Sequence, residues 1–539
     1  MKINRSFAIT LILISLLVVS CVIGLLKNQP ADQGGNSNTH EVNSLSLSLQ
    51  HDPITLDPSL VEDTTSGSLV RALFDGLTRR GLDGLPHEAV AKSIAISRDN
   101  LTYTFTLRDS KWSNGDPVTA GDFEYAWKRV IDPNSASNYA YQMFCIRNAE
   151  LAHKGLVKME SVGIHALNDH ILQVQLAYPT PYFLELTSLF TYYPVHPSTK
   201  SNPEWGLDVS SHISNGPFKL KEWKQQHQLT LEKNPYYWDQ QTVKLQELHF
   251  SLNNSPQTEM SMFERGELDW AGAPLGELPL ESLNRLKSSG KLLTYPIAGT
   301  YWYKFNVDQP PFQNAKIRKA FAYAINRQAI CTDLAVGKTP AMGVVPPSMS
   351  LQPAGYFHDH DVTLAKQLLK EGMKELGIST LPPITLSYNT SDTHKKIAVA
   401  IQKQWKDNLG VTVLLRDEDW PTYVANLHEG HFQIGRMGWL ADYHDPMNFL
   451  ELFKEQTLVN NDTHWENPEF KQLLNQSSRE RNPLKRKELL ARSESILMDE
   501  MPVLPIFFYT NSYVKNERIQ NVLLDGLGYI DWKWANIAN

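Results

Sequence analysis

Early in the chain, apolar and polar residues alternate. Leu45, Leu47 and Leu49 are separated by serines, Leu101, Tyr103, Phe105 and Leu107 by polar partners, and Leu172, Val174 and Leu176 repeat the pattern. A period of two predicts half-buried strands, so the first half is strand-rich. From 361 to 436 the pattern changes. Leu364, Ala365, Leu368, Leu369, Met373 and Leu376 fall on one face of a helix that Gly377 is placed to stop. Ile384, Leu386 and Tyr388 follow Pro382-Pro383 as a strand. A second helix runs from an Asp392 cap through Ile397, Ala398, Ile401 and Trp405 to Gly410, and Val411, Val413 and Leu415 make the next strand. A short helix over 420–429 and a strand through Phe432 and Ile434 complete the run. Alternating helix and strand predict a largely parallel sheet flanked by helices, with ligand sites beyond the strand ends. The cluster Arg436-Met437-Gly438-Trp439-Leu440-Ala441-Asp442-Tyr443 is then expected just past a strand end.

The N-terminus follows a different rule. Lys2 and Arg5 precede an almost unbroken apolar run, Phe7 to Leu26, which is an export signal and not part of the fold. Val18-Val19-Ser20-Cys21 resembles a bacterial lipobox: Cys21 would carry the lipid, and Ser20 is small enough for the peptidase. An uncleaved anchor is the other reading, because about 20 apolar residues can span a bilayer. Residues 28–44 are rich in Asn, Gln, Gly and Ser and read as a flexible tether. Both readings place the body outside the cytoplasm of a bacterium, on the periplasmic or cell-surface side of a membrane.

Composition narrows the function. The 539 residues suit several domain-sized units, and 51 Lys plus Arg against 58 Asp plus Glu give a net charge of −7, which argues against nucleic acid as a partner. Three cysteines without a Cys-x-x-Cys pair offer neither a disulfide scaffold nor a zinc knuckle, although Cys145 and Cys331 could pair in an oxidising compartment. Enzyme signatures are absent or broken. No Gly-x-Ser-x-Gly occurs, and Thr332 stands where a phosphate loop ending in Gly337-Lys338-Thr339 needs glycine. His428 and His431 are spaced i, i+3 around Glu429, not as His-Glu-x-x-His. His358-Asp359-His360-Asp361 reads as a solvated loop with a helix cap before it reads as a metal site. No cofactor or metal is expected, and the chain reads as a binder, not an enzyme.

Several phrases, in order, resemble the large extracytoplasmic solute-binding proteins of peptide ABC importers, above all the bacterial oligopeptide-binding proteins. They are Thr55-Leu56-Asp57-Pro58, Arg71-Ala72-Leu73-Phe74-Asp75-Gly76-Leu77, and Lys111-Trp112-Ser113-Asn114-Gly115-Asp116-Pro117-Val118-Thr119-Ala120-Gly121-Asp122-Phe123. Ser214-Asn215-Gly216-Pro217-Phe218, Asn234-Pro235-Tyr236-Tyr237-Trp238 and Arg265-Gly266-Glu267-Leu268-Asp269 follow, then Pro310-Pro311-Phe312, Lys316-Ile317-Arg318-Lys319-Ala320 and Tyr388-Asn389-Thr390-Ser391-Asp392. The resemblance covers essentially the whole chain after the tether.

It implies an α/β fold: a two-lobed clamp of the periplasmic-binding-protein type II kind, with mixed sheets flanked by helices in three domains. Residues 1–27 would be the signal peptide or anchor. Domain I would comprise 45–74, 195–298 and 510–539, domain II 75–194, and domain III, the opposing lobe, 299–509. The implied role is to capture short peptides and deliver them to an ABC permease, as a monomer. Asp442 matches the family aspartate that takes the peptide ammonium. Arg436, Gly438, Trp439 and Tyr443 match the segment lining the peptide, and Thr64, Tyr139 and Trp420 match flanking positions. His394 stands where a histidine can meet a short peptide's C-terminus. Gln309 and Leu427, however, replace a lysine and an arginine, and Gly299 and Leu440 occupy the positions of a family disulfide. Other ligands of the same clamp (murein peptides, haem, a metal chelate), a secreted hydrolase and an adhesin are the alternative readings.

Overall fold

The serine-leucine alternation forms strand β1 (Ser44–Leu49), which begins on the last residue expected in the tether. The computed structural model describes residues 43–538 apart from 62, 136, 138, 203, 254, 336 and 459, with the backbone alone at 280, 420 and 421. The export signal, Cys21 and nearly all of the tether lie outside the described residues. Leu45, Leu47 and Leu49 are wholly buried, as period two predicts, but Ser48 is buried too. β1 is therefore covered on both faces. The Asp269 carboxylate accepts the Ser46 N–H at 2.9 Å, and the Asp269 N–H donates back to the Ser46 carbonyl at 2.7 Å, so the backbone of this sheet-edge strand is satisfied.

Seven further strands complete the two main sheets of the first lobe: β2 (Ala91–Ile96), β3 (Thr102–Leu107), β4 (Ile164–Asn168), β5 (Ile171–Gln175), β6 (Phe218–Lys224), β7 (Gln228–Lys233) and β8 (Glu247–Leu252). They form two four-stranded sheets, ordered β1-β8-β7-β6 and β2-β3-β5-β4. One apolar core joins both sheets to helix α1 (Thr64–Leu73) and to the C-terminal Ile530 and Trp532. Arg79 clamps that C-terminal segment, donating Nε and Nη2 to the Asp531 carboxylate at 2.9 Å each. A buried guanidinium is tolerable there because two carboxylates, Asp531 and Asp75, neutralise it.

The second lobe is organised by one larger sheet. Its strands are β9 (Trp270–Gly272), β10 (Leu293–Phe305), β11 (Ile384–Asn389), β12 (Val413–Glu418), β13 (Ile434–Leu440) and β14 (Val503–Lys515), in the order β9-β14-β10-β13-β11-β12. The short strand Thr339–Pro340 also pairs with β14, and β9, whose Trp270 packs in the first-lobe core, joins the sheet to that lobe. The parallel arrangement expected for 361–436 holds for β11 with β12 and with β13. It stops there: β13 and β14 run antiparallel to β10. The sheet is mixed because its centre is made of long strands that return from outside the helix-strand repeat. β10 and β14, 13 residues each, pair from Leu293 with Tyr513 to Lys304 with Val503, and their register breaks between Pro296 and Thr300.

The helices follow the apolar pattern, except that Leu376, expected on the buried face, is exposed because it lies past the last turn. α2 (Val362–Glu375) starts where the Asp361 carboxylate accepts the Leu364 N–H at 3.0 Å, and Gly377 follows with φ +67°. α3 (Asp392–Leu409) buries Ile397, Ala398, Ile401 and Trp405 and ends on Gly410 with φ +72°. Its cap is Ser391, one residue before the expected Asp392, since the serine hydroxyl takes the His394 N–H. α4 (Trp420–His428) and α5 (Pro483–Glu500) follow. The 358–361 segment is structural: Asp359 pairs with Arg327 at 2.9 Å and Asp361 is the cap of α2. Cys145 and Cys331 are unpaired thiols buried in different cores, so they form no disulfide with each other.

Glu494 on α5 shows what burial does to a carboxyl. One of its oxygens accepts both the Val344 and the Val345 N–H at 2.8 Å, and burial pushes its pKa up to about 7. The folded chain holds this proton where the unfolded chain has released it, so stability falls as pH rises between the unfolded value and about 7. Glu494→Gln keeps both acceptor bonds and cannot ionise. Denaturant titrations at pH 5, 6 and 7 should show the variant losing about 1 kcal/mol per pH unit of the wild-type slope.

Candidate functional site

β13 carries the site. The polar-aromatic cluster does not lie wholly past a strand end as expected, because Arg436 to Leu440 are within β13 and only 441–443 lie beyond it. On one side, β13 pairs with β10 along its whole length, from Ile434 opposite Phe305 to Leu440 opposite Gly299. On the other, pairing with β11 covers only Ile434 and Gly435. From Arg436 to Leu440 that edge has no strand partner among the described residues.

Arg436 sits over the Tyr301 ring, 4.7 Å from its centroid, and donates to Asn389 Oδ1 at 3.3 Å and to the Tyr509 hydroxyl at 3.4 Å. Among the described residues it has no carboxylate partner, and its buried Nε has no acceptor. Aromatic faces and neutral oxygens tolerate a guanidinium but leave its charge available to an anion. His394, in the first turn of α3, lies beside this group, 3.3 Å from the Tyr301 hydroxyl. Burial, helped by the Arg436 charge, depresses the imidazole pKa to about 4, so His394 is neutral at physiological pH.

Asp442 is the opposite case. Burial raises its pKa above the ordinary carboxylate range, against the bonds it receives from the side chains of Tyr141 and Asn448. No cation pairs with it among the described residues. Its own N–H donates to Asn448 Oδ1 at 3.1 Å, and the same oxygen accepts Trp439 Nε1 at 2.8 Å. Asn448 therefore fixes the wall and the acid together. Tyr141 comes from the first lobe, so Asp442 already touches the facing lobe.

Gly438 makes room. A Cβ there would lie 2.8 Å from the Tyr509 hydroxyl oxygen and 3.2 Å from the Thr300 carbonyl. Gly299 does the same for the Tyr509 ring, with a virtual Cβ 2.8 Å from Cδ2, and it stands directly opposite Leu440. Tyr443 stacks on Tyr182 of the first lobe at 4.4 Å and 9° and donates to Glu451 Oε1 at 2.5 Å. It is a buried lobe contact more than an open wall. Tyr139 lies near Tyr141, their ring centroids 5.8 Å apart, while Thr64 is an exposed residue opening α1. Trp420 opens α4, and its side chain is outside the described residues. Leu427 is buried against Tyr423 and Phe432. Sequence reasoning missed Tyr141 and Tyr509, whose partners are distant in sequence, and Asn448, whose partners Trp439 and Asp442 lie only nine and six residues before it. The Tyr139-Ala140-Tyr141 pair was the available hint.

Two lobes of sheets with flanking helices, and a strand carrying a guanidinium with a carboxylate just past its end, neither ion-paired among the described residues, define a clamp-type binding protein. Residues 86–461 match the model of bacterial extracellular solute-binding proteins, family 5, and the chain belongs to that family. It is 48% identical to the oligopeptide-binding protein OppA of Bacillus subtilis over 99% of both chains, and 37% identical to the dipeptide-binding protein DppE of the same organism over 96% of each. The solved unliganded open form of the periplasmic murein tripeptide binding protein MppA superposes with a TM-score of 0.83 at 30% identity, covering 92% of this chain and 98% of the other. Family 5 members are binding proteins. No described helix is long and apolar enough to cross a membrane.

Gly438→Val should force Tyr509 and β10 apart, costing about 1–3 kcal/mol of stability and freeing Arg436 from one of its positioning bonds. Thermal unfolding and ligand titration of the same variant check both effects.

Proposed function

We propose that this chain is a membrane-tethered receptor that encloses short peptides and hands them to an ABC permease without covalent chemistry. The observation that carries the reading is the pair of uncompensated charges at the two ends of an unpaired strand edge. Asp442 suits a peptide ammonium, Arg436 suits a carboxylate, and the free edge of β13 suits an extended backbone added as a strand. From Arg436 to Leu440 the strand advances roughly 13 Å, a span that an extended peptide of about four residues matches. Neutral His394 contributes a hydrogen bond at the carboxylate end, and Trp439 supplies an apolar wall that selects no particular side chain. Thr64, Tyr139 and Trp420 are assigned to the flanks of the peptide, and Tyr443 to the lobe contact beside it.

The register break between Pro296 and Thr300, opposite Phe508 to Thr510, supports a hinge at the boundary between 45–298 and 299–509. Two separate sheets on one core support dividing the first lobe into domains I and II. Cys21 supplies the lipid tether, and the clamp works as a monomer. A second reading, murein peptides as cargo, is favoured by the superposition on the murein tripeptide binder. Native mass spectrometry of the purified protein separates the two: a ladder of mixed peptides supports the first, and murein fragments alone support the second.

Calorimetric titration with a free and an N-acetylated tetrapeptide tests the role of Asp442. Asp442→Ala should weaken the free peptide by about 2 kcal/mol or more, and acetylation should cost the wild type as much. Equal affinities for the two peptides would remove Asp442 from this role. Because the carboxylate form binds the ammonium, wild-type affinity should decline as pH falls through the raised pKa of Asp442, and the alanine variant should lack that acid limb.

A further inference from the structure

A cavity of about 700 Å³ lies between the lobes, and none of its lining residues belongs to the Asp442–Arg436 cleft. Ile96, Asn100, Tyr103 and Pro181 line it from the first lobe. The second lobe contributes Met349, Leu351 and Leu490, and the cations of the lining are Arg481, just before α5, and Arg486 and Lys487 in its first turns. Tyr103 belongs to the core of the first lobe, and Met349, Leu351 and Leu490 to a core of the second, so both walls are set by packed elements. Its size falls in the range of small-molecule sites, roughly 300–1,000 Å³.

The charges in the lining are unevenly committed. Arg486 is held by Asp445 through two bonds of 2.7 Å, with its buried Nε left without an acceptor. Arg481 and Lys487 are exposed and make no ion pair at contact distance among the described residues, although the Arg481 charge reaches Asp99 of the first lobe. Glu480 is the single carboxylate of the lining, and one of its oxygens is taken by the Asn482 N–H at 2.8 Å. Ser348, also in the lining, has a buried hydroxyl with no partner. On a chain of net charge −7, this is a largely apolar cavity whose lining carries two cations without an ion-pair partner among the described residues.

We propose that the cavity is a second ligand site, separate from the peptide cleft, for a small amphipathic anion: an apolar body seated between Ile96, Tyr103, Met349 and Leu351, with one carboxylate or sulfonate at Arg481 and Lys487. Desolvated apolar area supplies the binding free energy, and the two cations select the charged head. The site needs both lobes, so each should contribute separately to affinity.

Isothermal titration of the full-length chain with 1-anilinonaphthalene-8-sulfonate, and with the uncharged N-phenyl-1-naphthylamine, tests this. One sulfonate should bind per chain, with the neutral analogue at least tenfold weaker. The double substitution Arg481→Glu, Lys487→Glu should weaken the sulfonate at least tenfold while tetrapeptide affinity stays within twofold, which also reports that the variant is folded. Ile96→Glu, on the other lobe, should weaken it comparably. Equal binding of the two probes, or no binding of the sulfonate, overturns the proposal. So does indifference to the charge reversal or to Ile96→Glu, since a basic surface patch on one lobe would not need the opposite wall.

Discussion

An ionised group taken out of water needs either a partner or a reason to lack one, and this constraint organises the cleft. Several other buried charges are met by opposite charges: Arg79 by Asp75 and Asp531, Lys304 by Asp462, and Arg486 by Asp445. Asp442 and Arg436 stand only six positions apart and have no ion-pair partner among the described residues, each held by neutral groups. The strand geometry keeps them apart, since Arg436 lies on β13 while Asp442 is beyond its end, anchored by Asn448. Burying two opposite charges without joining them is unfavourable for the empty protein, and on the proposed reading a dipolar ligand relieves both at once.

The rest of the fold makes that separation possible. β10 backs β13 along its length and fixes the direction of its side chains, and β14 backs β10 in turn. Because β10 and β14 are long, they also extend beyond the second-lobe sheet centre, and their register break concentrates irregular backbone at one level. Glycines at 299 and 438 let Tyr509 lie against this strand pair, where its hydroxyl holds Arg436. The contacts of Tyr141 with Asp442 and of Tyr182 with Tyr443 then couple the second lobe to the first at the acid end of the site.

Much of the local architecture was legible in the sequence. The spacing of Ile397, Ala398, Ile401 and Trp405 predicts the buried face of α3, and Gly377 and Gly410 mark helix ends by the left-handed backbone they adopt. The site was legible in part. Asp442, Arg436, Gly438, Trp439 and His394 are indicated by family resemblance, and they gather around one strand and the start of α3. Tyr141, Asn448 and Tyr509 gave no such signal, because a tyrosine or asparagine looks the same whether it holds a ligand group or a loop. Tyr443 shows the converse: it belongs to the indicated segment, yet its ring is spent on Tyr182.

The sequence by itself determined the helix-strand order of 361–436, the early period-two strands, the helix-ending glycines, the family, and the residue types available for binding an amine and a carboxylate. Those features are local, set by periodicity and by backbone preferences within a few residues. Only the tertiary structure decided that β13 is paired along its length on one edge and only at Ile434 and Gly435 on the other, that its sheet is mixed, and that Asp442 and Arg436 are half-buried without counterions among the described residues. These depend on which distant strand lies alongside and which side chains crowd in from the other lobe. Desolvation is a property of the whole packed surround, and no single segment carries it.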